Sequence, residues 1–115
     1  MTLPGPSRGE VWKVDLDPVR GHEQAGRRPA LVVSVDALNH SAAELAIVLP
    51  ITSRQKNVRS HVAVQPPEGG LERTSYVKCE DVRSVSTTRL DQRLGAVTGE
   101  TMSAVEDRLR LLLDL

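Results

Sequence analysis

The sequence predicts a mainly β (α+β) fold: a small antiparallel β-barrel followed by a C-terminal amphipathic helix. Three observations predict it. The chain has 115 residues, which gives one domain, 1–115, and no room for a second core. Six or seven short segments alternate or run apolar between brief polar, Gly- or Pro-rich connections, a pattern that favours antiparallel pairing and closure into a barrel. The final segment, TGETMSAVEDRLRLLLDL, repeats Met102, Val105, Leu109 and Leu112 at helical spacing.

Residues 1–8 read as a flexible Pro/Gly leader. EVWKVDL (10–16) alternates, with Trp12, Val14 and Leu16 on one face and Val11, Lys13 and Asp15 on a wet one. DPVRGHEQAGR (17–27) is a long polar loop. ALVVSV (30–35) is short, apolar and β-branched, hence a strand. Residues 36–44 connect it to LAIVLPI (45–51), a second buried strand. TSRQKNVRS (52–60) is a basic loop, HVAVQ (61–65) alternates, and PPEGG (66–70) is turn chemistry. SYVKC (75–79) and DVRSV (81–85) are strands bent near Glu80, TTRLDQ (87–92) holds a helical turn, and RLGAV (93–97) is a last short strand. Thr98 or Thr101 caps the helix, with Glu100 near the positive end of its dipole.

Aromatic residues are only Trp12 and Tyr76, so the core must be Val, Leu, Ile and Ala. The 15 cations equal the 15 acids, a balance that announces no nucleic-acid binder. The distribution is uneven: Arg54, Lys56 and Arg59 stand without an acid between 51 and 60, and Arg outnumbers Lys 12 to 3. Cys79 is the single cysteine, which rules out an intrachain disulfide and fits a reducing, cytoplasmic setting. MTLPGPSRGE lacks an apolar signal region, and no stretch approaches the roughly 18 apolar residues of a membrane helix.

GHEQAGRRPALVVS (21–34) places two arginines at the mouth of an apolar strand. Pro29 holds Arg28 in extended geometry, and alternation sends Arg27 and Arg28 to opposite faces. If strands 30–35 and 45–51 pair across 36–44, partners sum to 80 and Arg28 falls opposite Thr52. A guanidinium beside a hydroxyl suits an anion: the fork holds two phosphate oxygens and the hydroxyl donates to a third. An ion pair of Arg28 with a carboxylate such as Glu23 is the structural alternative.

Other chemistry is thinner. His22, His40 and His61 are possible acid–base groups that read first as surface histidines. There is no HExxH, no CxxC and no acidic cluster, so no metal or other cofactor is expected. Asp15 and Asp17 read as turn residues rather than Mg²⁺ ligands, and Cys79 as core.

RGEVWKVDLDPVRGHEQAGRRPALVVS resembles the opening of the MazF/PemK toxins, the ribonuclease halves of bacterial toxin–antitoxin pairs. VLPITS is similar to their apolar strand ending in Pro-x-Thr-Ser, and EDVRSVSTTRL to their later strand and helical turn. The resemblance implies an SH3-like barrel of the CcdB/MazF type, a homodimer, and a MazE-like antitoxin partner. It implies sequence-specific, metal-independent cleavage of single-stranded RNA. It makes Arg28 and Thr52 catalytic, and places Glu23, Gln24 and Ser53 in substrate-facing loops, with Lys56 beside them in the basic loop. His22 stands where the family has Ser or Thr, and Asp81 where some members turn Gln toward RNA. The implied reaction is attack of a ribose 2′-OH on the adjacent phosphate, giving 2′,3′-cyclic phosphate and 5′-OH ends. The other functional class is a non-catalytic toxin of the same fold that binds DNA gyrase through its C-terminal helix.

Overall fold

The computed structural model describes residues 5–16 and 26–115. Seven strands and two helices follow in order: β1 (Glu10–Asp15), β2 (Arg27–Val32), α1 (Asp36–Asn39), β3 (Leu45–Thr52), β4 (His61–Val64), β5 (Ser75–Lys78), β6 (Arg83–Ser86), β7 (Leu90–Ala96) and α2 (Gly99–Leu113). Single 3-10 turns lie at Glu68–Gly70 and Thr87–Arg89. All ladders are antiparallel, in the order β4-β5-β3-β2-β1-β7, with β6 also on β3. This is the mainly β fold with a C-terminal helix that the sequence predicts.

β3 is the hub. Its start pairs with β6, its middle with β2, and its last residues, Ile51 and Thr52, with Val77 and Tyr76 of β5. The β2–β3 partners are Ala30↔Pro50, Leu31↔Leu49 and Val32↔Val48, which sum to 80 as the pattern across 36–44 requires.

Both faces of the sheet are buried by aliphatic side chains. On one, Leu31, Leu49, Ile51, Val62, Val77 and Cys79 pack with Val105 of α2. On the other, Val14, Ala30, Val32, Ala46, Val48 and Val85 are covered by Trp12 and Leu90. The expectation of a wet face on β1 is thereby corrected: Val11 is fully buried in the α2-side core, and only Lys13 and Asp15 keep that face polar. Each buried Val, Leu or Ile among them contributes about 1.5–3 kcal/mol.

Among the described residues, no ladder joins β7 to β4. The gap is spanned by the turn at Glu68–Gly70, whose backbone lies on that of β7. A Cβ added to Gly70 would lie 2.0 Å from the Leu94 carbonyl oxygen, and one on Gly95 would lie 2.6 Å from the Gly69 carbonyl carbon. Only glycine permits this approach. The same turn reaches α2: Glu68 Oε2 accepts from the Thr98 N–H at 3.0 Å and the Thr101 hydroxyl at 2.5 Å. Thr98 caps the helix, accepting from the Thr101 N–H at 3.2 Å.

Residues 5–8 are tied down rather than loose, because Pro6 is buried and the Arg8 guanidinium donates to the Val33 carbonyl and to Glu106. Residues 1–4 of the expected leader lie outside the described residues. The apolar stripe of α2 outruns its contact with the sheet. Val105 is buried and Met102 and Leu109 pack at its margin, but Leu111, Leu112, Leu113 and Leu115 are exposed.

Candidate active site

β2 begins at Arg27, earlier than the apolar run suggests, because Arg27, Arg28 and Pro29 pair with Asp15, Val14 and Lys13 of β1. Alternation then separates the two arginines. Arg27 Nη1 meets Asp91 Oδ2 of β7 at 2.8 Å. Arg28 lines an open cleft of about 690 Å³.

Thr52, Ser53 and Lys56 line the same cleft, so four of the seven residues expected at the site converge. Thr52 ends β3, and its Oγ1 accepts the Arg54 N–H at 3.1 Å. That bond turns the chain into the 53–60 segment and fixes the hydroxyl by its acceptor side, leaving its proton to be donated. Asp81 is not among the cleft residues. Its carboxylate takes both Nε and Nη2 of Arg83, at 3.3 and 2.7 Å, and lies 3.6 Å from Lys78 Nζ. Glu23 and Gln24, with His22, lie outside the described residues.

The cleft is far more basic than the chain. Arg28, Arg54, Lys56, Lys13, Arg73 and Lys78 line it against one carboxylate, Glu72. Sequence reasoning missed Lys13, Arg73 and Lys78, because they come from three separate segments and form no local run. A signal was present in two of them: Lys13 and Lys78 are the lone cations of β1 and β5.

His61 was expected at the surface and is instead buried, its side chain 4% exposed in the cleft wall. The reason is long-range: Nε2 lies 3.0 Å from Glu80 Oε2, and Ser60 Oγ donates to Glu80 Oε1 at 2.7 Å. Burial pushes the Glu80 carboxyl up, but hydrogen bonds from Ser60, the backbone and His61 outweigh it and hold the group below the usual carboxylate range. His40 is exposed, with Nε2 at 2.9 Å from the Pro6 carbonyl. Cys79 is buried in the core, and burial pushes its thiol up to about 11, which suits packing and not nucleophilic chemistry. Among the described residues, no group of three or more His, Cys, Asp or Glu is placed to hold a metal ion.

An antiparallel sheet with a C-terminal helix on one face carries a cationic cleft whose arginine fork and fixed hydroxyl have the chemistry to take an oxyanion. The chain belongs to the family of PemK-like, MazF-like toxins of type II toxin–antitoxin systems, whose model matches residues 7–113. It is similar to the endoribonuclease MazF9 of Mycobacterium tuberculosis, 38% identical over 94% of this chain and 96% of that protein. It is also similar to the endoribonuclease PemK of Escherichia coli, 38% identical over 92% of this chain and 80% of that one. Among solved structures, MazF from Deinococcus radiodurans superposes with a TM-score of 0.86 at 30% identity, covering 96% of this chain and 98% of that one. A mycobacterial endoribonuclease in complex with its cognate antitoxin superposes with a TM-score of 0.80 at 28% identity, covering 96% of each chain.

Proposed function

We propose that the chain is the toxin of a type II toxin–antitoxin pair and acts as a sequence-specific endoribonuclease on single-stranded RNA, without a metal. The observation that carries this reading is the cleft: six cations against one carboxylate, in a chain of zero net charge, with Arg28 and Thr52 on its wall. The relatives named endoribonucleases across nearly the whole chain support it.

The chemistry is in-line attack of a ribose 2′-OH on the adjacent phosphate, leaving a 2′,3′-cyclic phosphate and a 5′-OH. It needs a bent, well-held backbone and stabilisation of growing charge on the phosphoryl oxygens. Arg28 supplies the planar fork for two of those oxygens, and Thr52 donates its O–H to a third. A guanidinium holds its proton and is a poor base, so Arg28 acts by electrostatics. A cleft this cationic repels a divalent cation and supplies the positive charge one would bring. Ser53 and Lys56 contact the strand, and Glu23 and Gln24 read bases. Asp81 contributes through Lys78, the cleft cation its carboxylate lies against.

The partner antitoxin offers an acidic, partly disordered segment that covers the cleft in place of RNA. The exposed leucines at the end of α2 suit the homodimer that the resemblance implies.

The test is incubation of antitoxin-free protein with mixed RNA in EDTA, with both ends mapped. Cleavage at a recurring sequence with cyclic phosphate and 5′-OH ends is expected. Intact RNA would overturn the reading and bring forward the non-catalytic, gyrase-binding toxin.

A further inference from the structure

Only two aromatic side chains exist in the chain, and the fold uses them differently. Trp12 is committed to structure: it covers the second core, and its Nε1 donates to Glu10 Oε1 at 3.0 Å. Tyr76 is half-buried in the middle of β5, and no hydrogen bond holds its hydroxyl among the described residues. Its ladder partners are Thr52 on β3 and Ala63 on β4, so the three residues form one row across three strands.

The row's surroundings matter. Directly opposed residues share a face, with Cβ atoms about 4.5–5.5 Å apart. The neighbouring residues Ile51, Val77 and Val62 point the other way, into the core under α2. The Tyr76 ring therefore stands on the face away from α2, beside Thr52. On its far side the row ends, among the described residues, at exposed Ala63 on the edge strand β4. Thr52 and Lys78, its neighbours on that face, line the cleft and Tyr76 itself does not, so the ring stands just outside the cleft's rim.

We propose that Tyr76 is a stacking platform for a nucleobase of the strand whose phosphate is held at Thr52, a subsite that rests on the RNA-cleaving reading above. A phosphate at Thr52 puts the attached nucleoside within one strand spacing, where the ring offers a π-face to any base. Stacking tolerates every base identity, so the subsite adds grip and alignment, while base choice stays with the polar loops.

The test uses binding of labelled 2′-O-methyl oligoribonucleotides of random sequence, which resist 2′-OH attack, and of an abasic strand of equal length. The wild type is expected to prefer the base-bearing strand. Tyr76→Ala is expected to lose about tenfold or more of that affinity and none for the abasic strand, while Tyr76→Phe keeps both. Tyr76→Leu, which preserves apolar bulk, separates stacking from folding: it should match the alanine variant. Equal binding of wild type and Tyr76→Ala, or an equal loss on the abasic strand, would overturn the subsite. Failure of the ribonuclease reading would register elsewhere, as intact unmodified RNA with the wild type in EDTA.

Discussion

Arg27 Nη1 lies 2.8 Å from Asp91 Oδ2, while Arg28, the next residue along β2, turns into the cleft. Two identical neighbouring side chains thus have separate tasks. Arg28→Lys keeps the charge but loses the planar fork, and activity should fall at least tenfold. Arg27→Ala should leave the cleavage rate near wild type and cost under about 1 kcal/mol, as for an exposed ion pair. Initial rates on one mapped RNA, with urea unfolding of both variants, check the pair.

Thr52→Val removes the hydroxyl and nearly preserves shape. The loss of one positioned donor to developing phosphoryl charge should lower kcat by about 10²–10³. Thr52→Ser should retain much of it. A valine variant with wild-type turnover would remove Thr52 from the chemistry.

The backbone contact between Gly70 and Leu94 predicts a large effect from one methyl group. Gly70→Ala, at φ +69°, forces a Cβ to 2.0 Å from a carbonyl oxygen and should cost more than about 4 kcal/mol or prevent folding. Gly99→Ala, in the first turn of α2 with nothing within 4 Å, should stabilise by up to about 1 kcal/mol. Chemical denaturation reads both.

Glu68 predicts an acid-side dependence of stability. Burial raises its carboxyl, but hydrogen bonds from Thr101 and from the backbone and side chain of Thr98 outweigh this and hold it below the usual carboxylate range. A carboxyl depressed in the folded state stabilises above its unfolded value, and that contribution is lost as pH falls through the folded one. The advantage of wild type over Glu68→Gln should therefore be constant above about pH 5 and shrink below it. Thermal melts from pH 3 to 7 check it; a gap that widens toward acid would contradict the assignment.

Capture of RNA or of an acidic antitoxin segment by the six cleft cations should weaken steeply as salt rises. Lys13→Ala and Lys78→Ala should each flatten that slope by about one unit for RNA. Binding titrations across a salt series read the slope, and an unchanged slope would exclude these lysines from phosphate contact.

Much of this was legible in the sequence because it is local. Alternation set the strands, turn residues set their ends, and the 36–44 connection with the two apolar runs gave the register that Ala30↔Pro50 displays. What was not legible depends on partners far along the chain. β2 starts at Arg27 because β1 pairs with it there, across a proline that reads locally as a strand start. His61 is buried because Glu80 meets it, 19 residues later. The basicity of the cleft was half visible, since Arg28, Arg54 and Lys56 lie in polar runs while Lys13, Arg73 and Lys78 do not. Arg8 looked like part of a loose leader until Val33 and Glu106 were brought against it.

Gly70 and Leu94 are both cleft residues, so the seam where the turn lies on β7 is also one bank of the cleft. A bank made of main chain pressed on main chain has no side chain to swing aside. The side chains that can adjust to a ligand come from elsewhere on the lining, Arg54 and Lys56 among them. That seam is a rail, a fixed edge against which an RNA strand held at Thr52 would be laid.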